Sequence, residues 1–322
     1  MSNLEKNPVP RTCEDTDIPG VELLTARDVP LGGPRAMTVH RTLPQRSRSL
    51  IGAWCFADHY GPDDVSVSGG MQVPGHPHTG LQTVSWLFSG EIEHRDSIGT
   101  HAMVTPGQMN LMTAGHGIAH SEFSTPRTTT LHGVQLWVAL PREHADTAPA
   151  FEHYEPDPID IDGTRALVFL GSLGGSTSPV QTFSPLVGAE ITIPAGESVT
   201  LEVDAGFEHG VLVDTGVIAA CGQEAKKAEL VFVGTGHPQL HLEAGPDEAA
   251  RVLLLGGAPF GEQILMWWNF VGRTQDEITA YREDWQRERE GGDPGRFGAL
   301  PMQWDQTLPA PGMPAVRLRP RS

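Results

Sequence analysis

Short apolar runs separated by turn residues recur along most of the chain. Residues 50–60 read Leu-Ile-Gly-Ala-Trp-Cys-Phe-Ala-Asp-His-Tyr, and 131–140 read Leu-His-Gly-Val-Gln-Leu-Trp-Val-Ala-Leu. Both runs, bounded by turn residues, predict buried strands. After His78, the run Thr-Gly-Leu-Gln-Thr-Val-Ser-Trp-Leu-Phe predicts another strand, stopped by Ser89-Gly90. Further strands are expected at 91–98, 102–104 and 109–112, and in the second half at 166–170, 187–193, 198–203, 210–213, 230–233, 239–242 and 251–255. Between 21 and 41, short apolar pieces broken by Pro30, Gly32, Gly33 and Pro34 read as edge strands. Strands this short, punctuated about every 8–12 residues, predict an all-β chain of antiparallel barrels or sandwiches. The pattern changes once. In 277–290, Ile278, Tyr281 and Trp285 form a single apolar stripe at i, i+3 and i+7 on a charged segment, which predicts a C-terminal α-helix stopped by Gly291-Gly292.

The punctuation divides the chain into a polar, Pro-rich N-terminal arm (1–20), a first β domain (21–145), a linker with Pro149, Pro156 and Pro158 (146–163), a second β domain ending in the helix (164–290), and a tail rich in Gly, Pro and Arg (291–322), expected to drape over the surface. Residues 61–75, rich in Gly, Pro and Asp, read as a loop. The two halves echo one another. Gly115-His116-Gly117-Ile118-Ala119-His120-Ser121-Glu122 and Gly236-His237-Pro238-Gln239-Leu240-His241-Leu242-Glu243 share the pattern G-H-x-x-x-H-x-E, as a duplicated barrel would.

Charge narrows the functional classes. The 322-residue chain carries 40 acidic and 22 basic residues, a formal net charge of −18, with no basic cluster to offset it, which argues against direct nucleic-acid binding. No stretch approaches the roughly 18 apolar residues of a membrane-spanning helix. The N-terminus lacks an apolar leader and Cys13, Cys55 and Cys221 are far apart, so a cytoplasmic protein with free thiols is expected.

Two motifs carry the chemistry. His76-Pro77-His78 and His120-Ser121-Glu122 each place two metal-ligating side chains at i and i+2, on one face of a strand. If the two strands face one another across a barrel, three imidazoles and one carboxylate converge. Counting on by twos from His76 through an unbroken strand puts Gln82, Val84, Trp86 and Phe88 on the same face, lining the barrel mouth around a substrate. His59, His94 and His101 are expected to be supporting or surface residues. His116, between Gly115 and Gly117, has room to sit beside the metal. His241 and Glu243 offer half a second site, but no His-x-His precedes them, so a remnant of duplication is expected.

The stretches from His76 through Trp86 and from Met112 through Glu122, followed by 132–140, resemble the metal-binding signatures of the pirin family within the cupin superfamily. The resemblance spans roughly residues 20–290 and is most specific between 75 and 140. It implies a bicupin, two antiparallel cupin β-barrels packed face to face, with one Fe(II) in the N-terminal barrel held by His76, His78, His120 and Glu122. Ligands of this type also suit iron on chemical grounds, with Mn, Ni, Cu or Zn as alternative ions. Many relatives carry Glu where this chain has Gln82, which cannot act as a base but can donate a hydrogen bond. Glu122 is then the carboxylate left to accept a substrate proton.

Two functions follow. The first is an Fe(II)-dependent, quercetin 2,3-dioxygenase-type enzyme that uses O2 on a flavonol or another chelating enol or catechol. The alternative is a non-catalytic regulator in which the oxidation state of the iron is read by protein partners, as in transcription co-regulators of the family.

Overall fold

The computed structural model describes residues 20–31, 37–301, 304 and 306–321. The arm expected at 1–20 therefore lies outside the described residues, apart from Gly20.

The chain builds the same unit twice, a seven-stranded antiparallel sheet closed by a four-stranded one. In the first unit the large sheet runs in the order Ala150–Tyr154, Met109–Thr113, Leu81–Ser89, Thr130–Ala139, Trp54–Asp64, Met37–Leu43 and Arg27–Leu31. Its small sheet comprises Gln72–His78, Ile118–Ser124, Ile92–Asp96 and His101–Val104. The second unit has Val21–Leu24, Leu230–Val233, Glu208–Thr215, Ala250–Gly257, Leu186–Ile193, Thr164–Leu170 and Pro158–Ile161 in the large sheet. Ser198–Glu202, Gln239–Ala244, Val217–Ala220 and Gln223–Lys226 make up the small one. The two units are the two cupin barrels. The N-terminal strand Val21–Leu24 pairs with Leu230–Val233 and so belongs to the second barrel, tying the chain start to its far half.

The large sheets pack against each other. Trp54, Val84, Trp86, Leu111, Val134 and Leu136 from the first barrel share one core with Phe169, Leu186, Leu212, Leu253 and Leu255 from the second. The opposite faces of the same strands fill the barrels: Val252 and Leu254 alternate with Leu253 and Leu255 and point into the second barrel. Burial on both faces explains why these strands read as continuous apolar runs and do not alternate with polar residues.

The helix Gln275–Arg289 starts at a capping box, in which Thr274 accepts the Glu277 N–H and the Glu277 carboxylate accepts the Thr274 N–H. Ile278 and Trp285 are buried in a cluster with Trp267, Trp268, Phe270 and Ala119 of the first barrel. The tail does more than drape. Phe297, Ala310 and Leu318 enter that cluster, and Trp285 donates its indole N–H to the Leu308 carbonyl at 2.7 Å. Among the described residues, no helix is long and apolar enough to cross a membrane.

Candidate metal centre

The small sheet of the first barrel assembles the site. Gln72–His78 pairs with Ile118–Ser124, setting His120 opposite His76, and Ile118–Ser124 pairs with Ile92–Asp96, setting His120 opposite Asp96 and Glu122 opposite His94. Directly opposed residues share a face, and so do residues two apart along a strand. His76, His78, His94, Asp96, His120 and Glu122 therefore all project from one face of this sheet, and all are at most 3% exposed. The pairing slips by one residue between His120 and Glu122, a bulge at Pro74-Gly75 in the first strand. Bulges of this kind re-aim side chains beside sites.

His76, His78 and His120 bring ligand atoms within 4.8 Å of one another, and Glu122 makes a second such group with His120 and His94. The Nε2 atoms of His78 and His120 lie 3.1 Å apart. Two lone pairs at that distance repel unless a proton or a cation lies between them. His76 places Nδ1 2.9 Å from the Pro74 carbonyl, which accepts its N–H, and this leaves a buried Nε2 with no hydrogen-bond partner. Burial drops His76 to about 3 and holds His78 and His120 well below the ordinary imidazole value. All three rings are neutral at physiological pH, the form that ligates metals. Burial works to raise the Glu122 carboxyl, but the electrostatic interactions around it hold it below its usual value. Neutral imidazoles, an ionised carboxylate and an orphaned ring nitrogen fit a divalent ion, and the donor set is that of an iron, copper, nickel or zinc site.

The residues predicted to line the mouth lie elsewhere. The strand assumed to continue from His78 breaks at Gly80, whose φ is +68°, where any Cβ would overlap the Val271 carbonyl. Gln72–His78 and Leu81–Ser89 consequently belong to different sheets, and counting by twos does not carry across the turn. Val84 and Trp86 face the core between the barrels. Phe88 packs against His132, with ring centroids 4.9 Å apart. Gln82, on the same face, donates to the Thr113 hydroxyl at 2.9 Å. The opposite face of Leu81–Ser89 serves the site: Leu81 packs with Trp137, whose ring stands edge-on to His78 at 5.2 Å. His116 does not join the ligands; its Nδ1 meets the Thr147 carbonyl at 3.2 Å.

Sequence reasoning passed over Asp96 and left His94 as a supporting or surface residue, although His94-Arg95-Asp96 shows the same i, i+2 spacing as the two ligand motifs. It also missed a second buried cluster. His59 and His132 place Nε2 2.7 and 2.6 Å from Asp214 Oδ1, and Arg251 donates to Asp214 Oδ2 at 2.6 Å. These are hydrogen-bond lengths, and the Arg251 guanidinium opposes a further cation. The group pins the first barrel to the second. In the second barrel His241 and Glu243 are exposed on the outer face of their strand, while Leu240 and Leu242 point inward. Among the described residues, the echoed motif builds no cluster there.

A bicupin with a histidine–glutamate cluster in its N-terminal barrel is what the fold and site define. The pirin family model matches residues 36–138, and that of the pirin C-terminal cupin domain matches 188–291. A Pseudomonas aeruginosa protein, named provisionally as a quercetin 2,3-dioxygenase, is 43% identical over 98% of both chains. A pirin-like protein of Caulobacter vibrioides is 34% identical over 82% of this chain and 94% of its own. The crystal structure of a quercetin 2,3-dioxygenase from Acinetobacter baumannii superposes with a TM-score of 0.86 at 36% identity, covering 93% of this chain and 97% of that one. The Escherichia coli pirin YhhW, solved with nickel(II), shares the fold at 19% identity and a TM-score of 0.58, covering 74% of this chain and all of its own. The chain belongs to the pirin family.

Proposed function

We propose that this chain is a mononuclear iron-dependent dioxygenase of the quercetin 2,3-dioxygenase type, acting with O2 on a flavonol or another chelating enol or catechol. The observation that carries the reading is a pair of clusters that share His120 on the inner face of one barrel, the neutral His76 and His78 in one and the ionised Glu122 with His94 in the other. Fe(II) held by His76, His78, His120 and Glu122 would supply redox and Lewis-acid chemistry to a bound enol or catechol and O2. His76, His78 and His120 would supply neutral nitrogens. Glu122, buried and ionised, would accept the acidic proton of an enol or catechol hydroxyl. Trp137 and Leu81 would wall the apolar side of the site. The names of the Pseudomonas and Acinetobacter relatives support the same chemistry for those proteins.

One observation favours a second reading. His76, His78, His120 and Glu122 are each at most 1% exposed. Burial of that degree also suits an iron centre whose redox state is sensed through the surrounding surface by a partner protein.

Oxygen uptake decides between them. Protein purified anaerobically and reloaded with Fe(II) is mixed with quercetin or a catechol panel, with His78→Ala and Glu122→Ala as controls. Iron-dependent uptake lost in both variants supports the dioxygenase. Stoichiometric iron without uptake on any substrate overturns it in favour of the sensor.

A further inference from the structure

Behind His120 stands a short hydrogen-bond chain. His120 Nδ1 is 3.3 Å from His94 Nδ1, and His94 Nε2 is 3.2 Å from Asp96 Oδ2. The other oxygen of Asp96, Oδ1, accepts the backbone N–H groups of Ile98 at 3.1 Å and Thr100 at 2.8 Å. All three side chains are buried.

We infer that Asp96 and His94 are positioning residues that fix the tautomer of His120, keeping its Nε2 unprotonated and open to the metal. The directions of the bonds follow from the donor inventory. An ionised carboxylate only accepts, so His94 donates from Nε2. The inferred arrangement places a single proton on the His94 ring, at Nε2 facing Asp96, so that Nδ1 accepts and His120 donates from Nδ1. Neutral His120 is left with its lone pair on Nε2, the atom facing His78 Nε2. His94 meets His120 through Nδ1, whereas His78 meets it through Nε2, which sets His94 behind His120 as seen from His78. Outer-shell partners of this kind orient ligating histidines and raise their basicity. The assignment rests on the reading of His76, His78, His120 and Glu122 as metal ligands.

Asp96→Asn isolates the effect. The amide keeps an oxygen for the Ile98 and Thr100 N–H groups but presents a donor to His94. His94 would then accept at Nε2 and donate from Nδ1, forcing His120 to put its proton on Nε2. An Asp→Asn change beside a catalytic histidine fails elsewhere through the same wrong tautomer. Zn(II), being diamagnetic, is the probe. Its affinity is measured by chelator competition, and the tautomers by long-range 1H–15N correlation spectra of histidine-labelled protein, apo and Zn-loaded.

Native protein should show His120 protonated at Nδ1 and His94 at Nε2. Asp96→Asn should bind Zn(II) about 10–100-fold more weakly with an unchanged apo melting temperature, and Asp96→Glu should recover part of the affinity. Native His120 carrying its proton on Nε2 in the apo protein overturns the assignment without any variant. So does an Asp96→Asn protein that binds Zn(II) as native does. If native protein binds neither Zn(II) nor Fe(II), the metal reading itself has failed, and this assignment falls with it.

Discussion

Trp86 of the first barrel donates its indole N–H to Glu190 of the second across 2.7 Å, and both side chains are buried between the barrels. The Trp86 ring also packs on Phe169, with centroids 4.7 Å apart. Burial raises the pKa of Glu190, with the Trp86 bond opposing the shift. Trp86 is therefore part of the joint between the barrels. Trp86→Phe keeps most of the bulk and leaves the carboxylate short of a donor, so unfolding in denaturant should become easier by about 1–3 kcal/mol. Metal stoichiometry should be unchanged. Loss of metal or activity at native stability would return Trp86 to the site.

That misplacement shows where reading from sequence stops. Strand existence was legible because apolar runs and turn residues mark it whichever face is buried. Which face goes where depends on sheet membership, and the left-handed turn at Gly80 changes that membership between adjacent residues. The strand Gln72–His78 was partly hidden because Pro74, Gly75 and Pro77 disfavour strand structure. It persists as the outer strand of its sheet, where a missing N–H is tolerated. The ligand motifs survived this because i, i+2 spacing within a single short strand needs no knowledge of its neighbours. The His59, His132 and Asp214 cluster had no such local signal, since its members come from three strands of two barrels.

Gly75 lies in the ligand strand, next to His76, and is also where the tail is held. The Leu308 N–H donates to the Gly75 carbonyl at 2.8 Å, and a Cβ at Gly75 would overlap the Trp304 indole. Gly75→Ala should therefore displace the tail. Limited proteolysis should cut within 300–318 faster, and stability should drop by about 1–3 kcal/mol, as overpacking does. Cleavage at the native rate would mean that the indole moves aside at no cost.

His116 and His120 separate neighbours in sequence from neighbours in space. His120→Ala removes a ring from the cluster and should abolish stoichiometric iron binding, as measured by metal analysis after anaerobic reloading. His116→Ala removes only the contact with the Thr147 carbonyl, a loss of about 0.5–1.5 kcal/mol. Iron content should match the native protein. Iron loss in His116→Ala would restore the position beside the metal that its flanking glycines suggested.

Acid should destabilise the metal-free protein through histidines outside the centre as well as within it. His209 is fully buried with neither ring nitrogen hydrogen-bonded, and burial drops it to about 4. His59 is also lowered by burial, although its bond to Asp214 opposes the shift. In the unfolded chain both titrate near about 6.5. Below that value the unfolded state takes up protons that the folded state refuses. Stability is thus lost as pH falls through about 6.5 towards about 4. Melting temperature should decline between about pH 7 and about pH 5. His209→Leu, which replaces an unsatisfied buried ring with an apolar side chain, should melt at or above the native temperature at neutral pH and show a shallower decline in acid. A decline as steep as the native one would remove His209 from the cause and leave it to His59 and the ligand histidines, which burial also holds below the ordinary imidazole value.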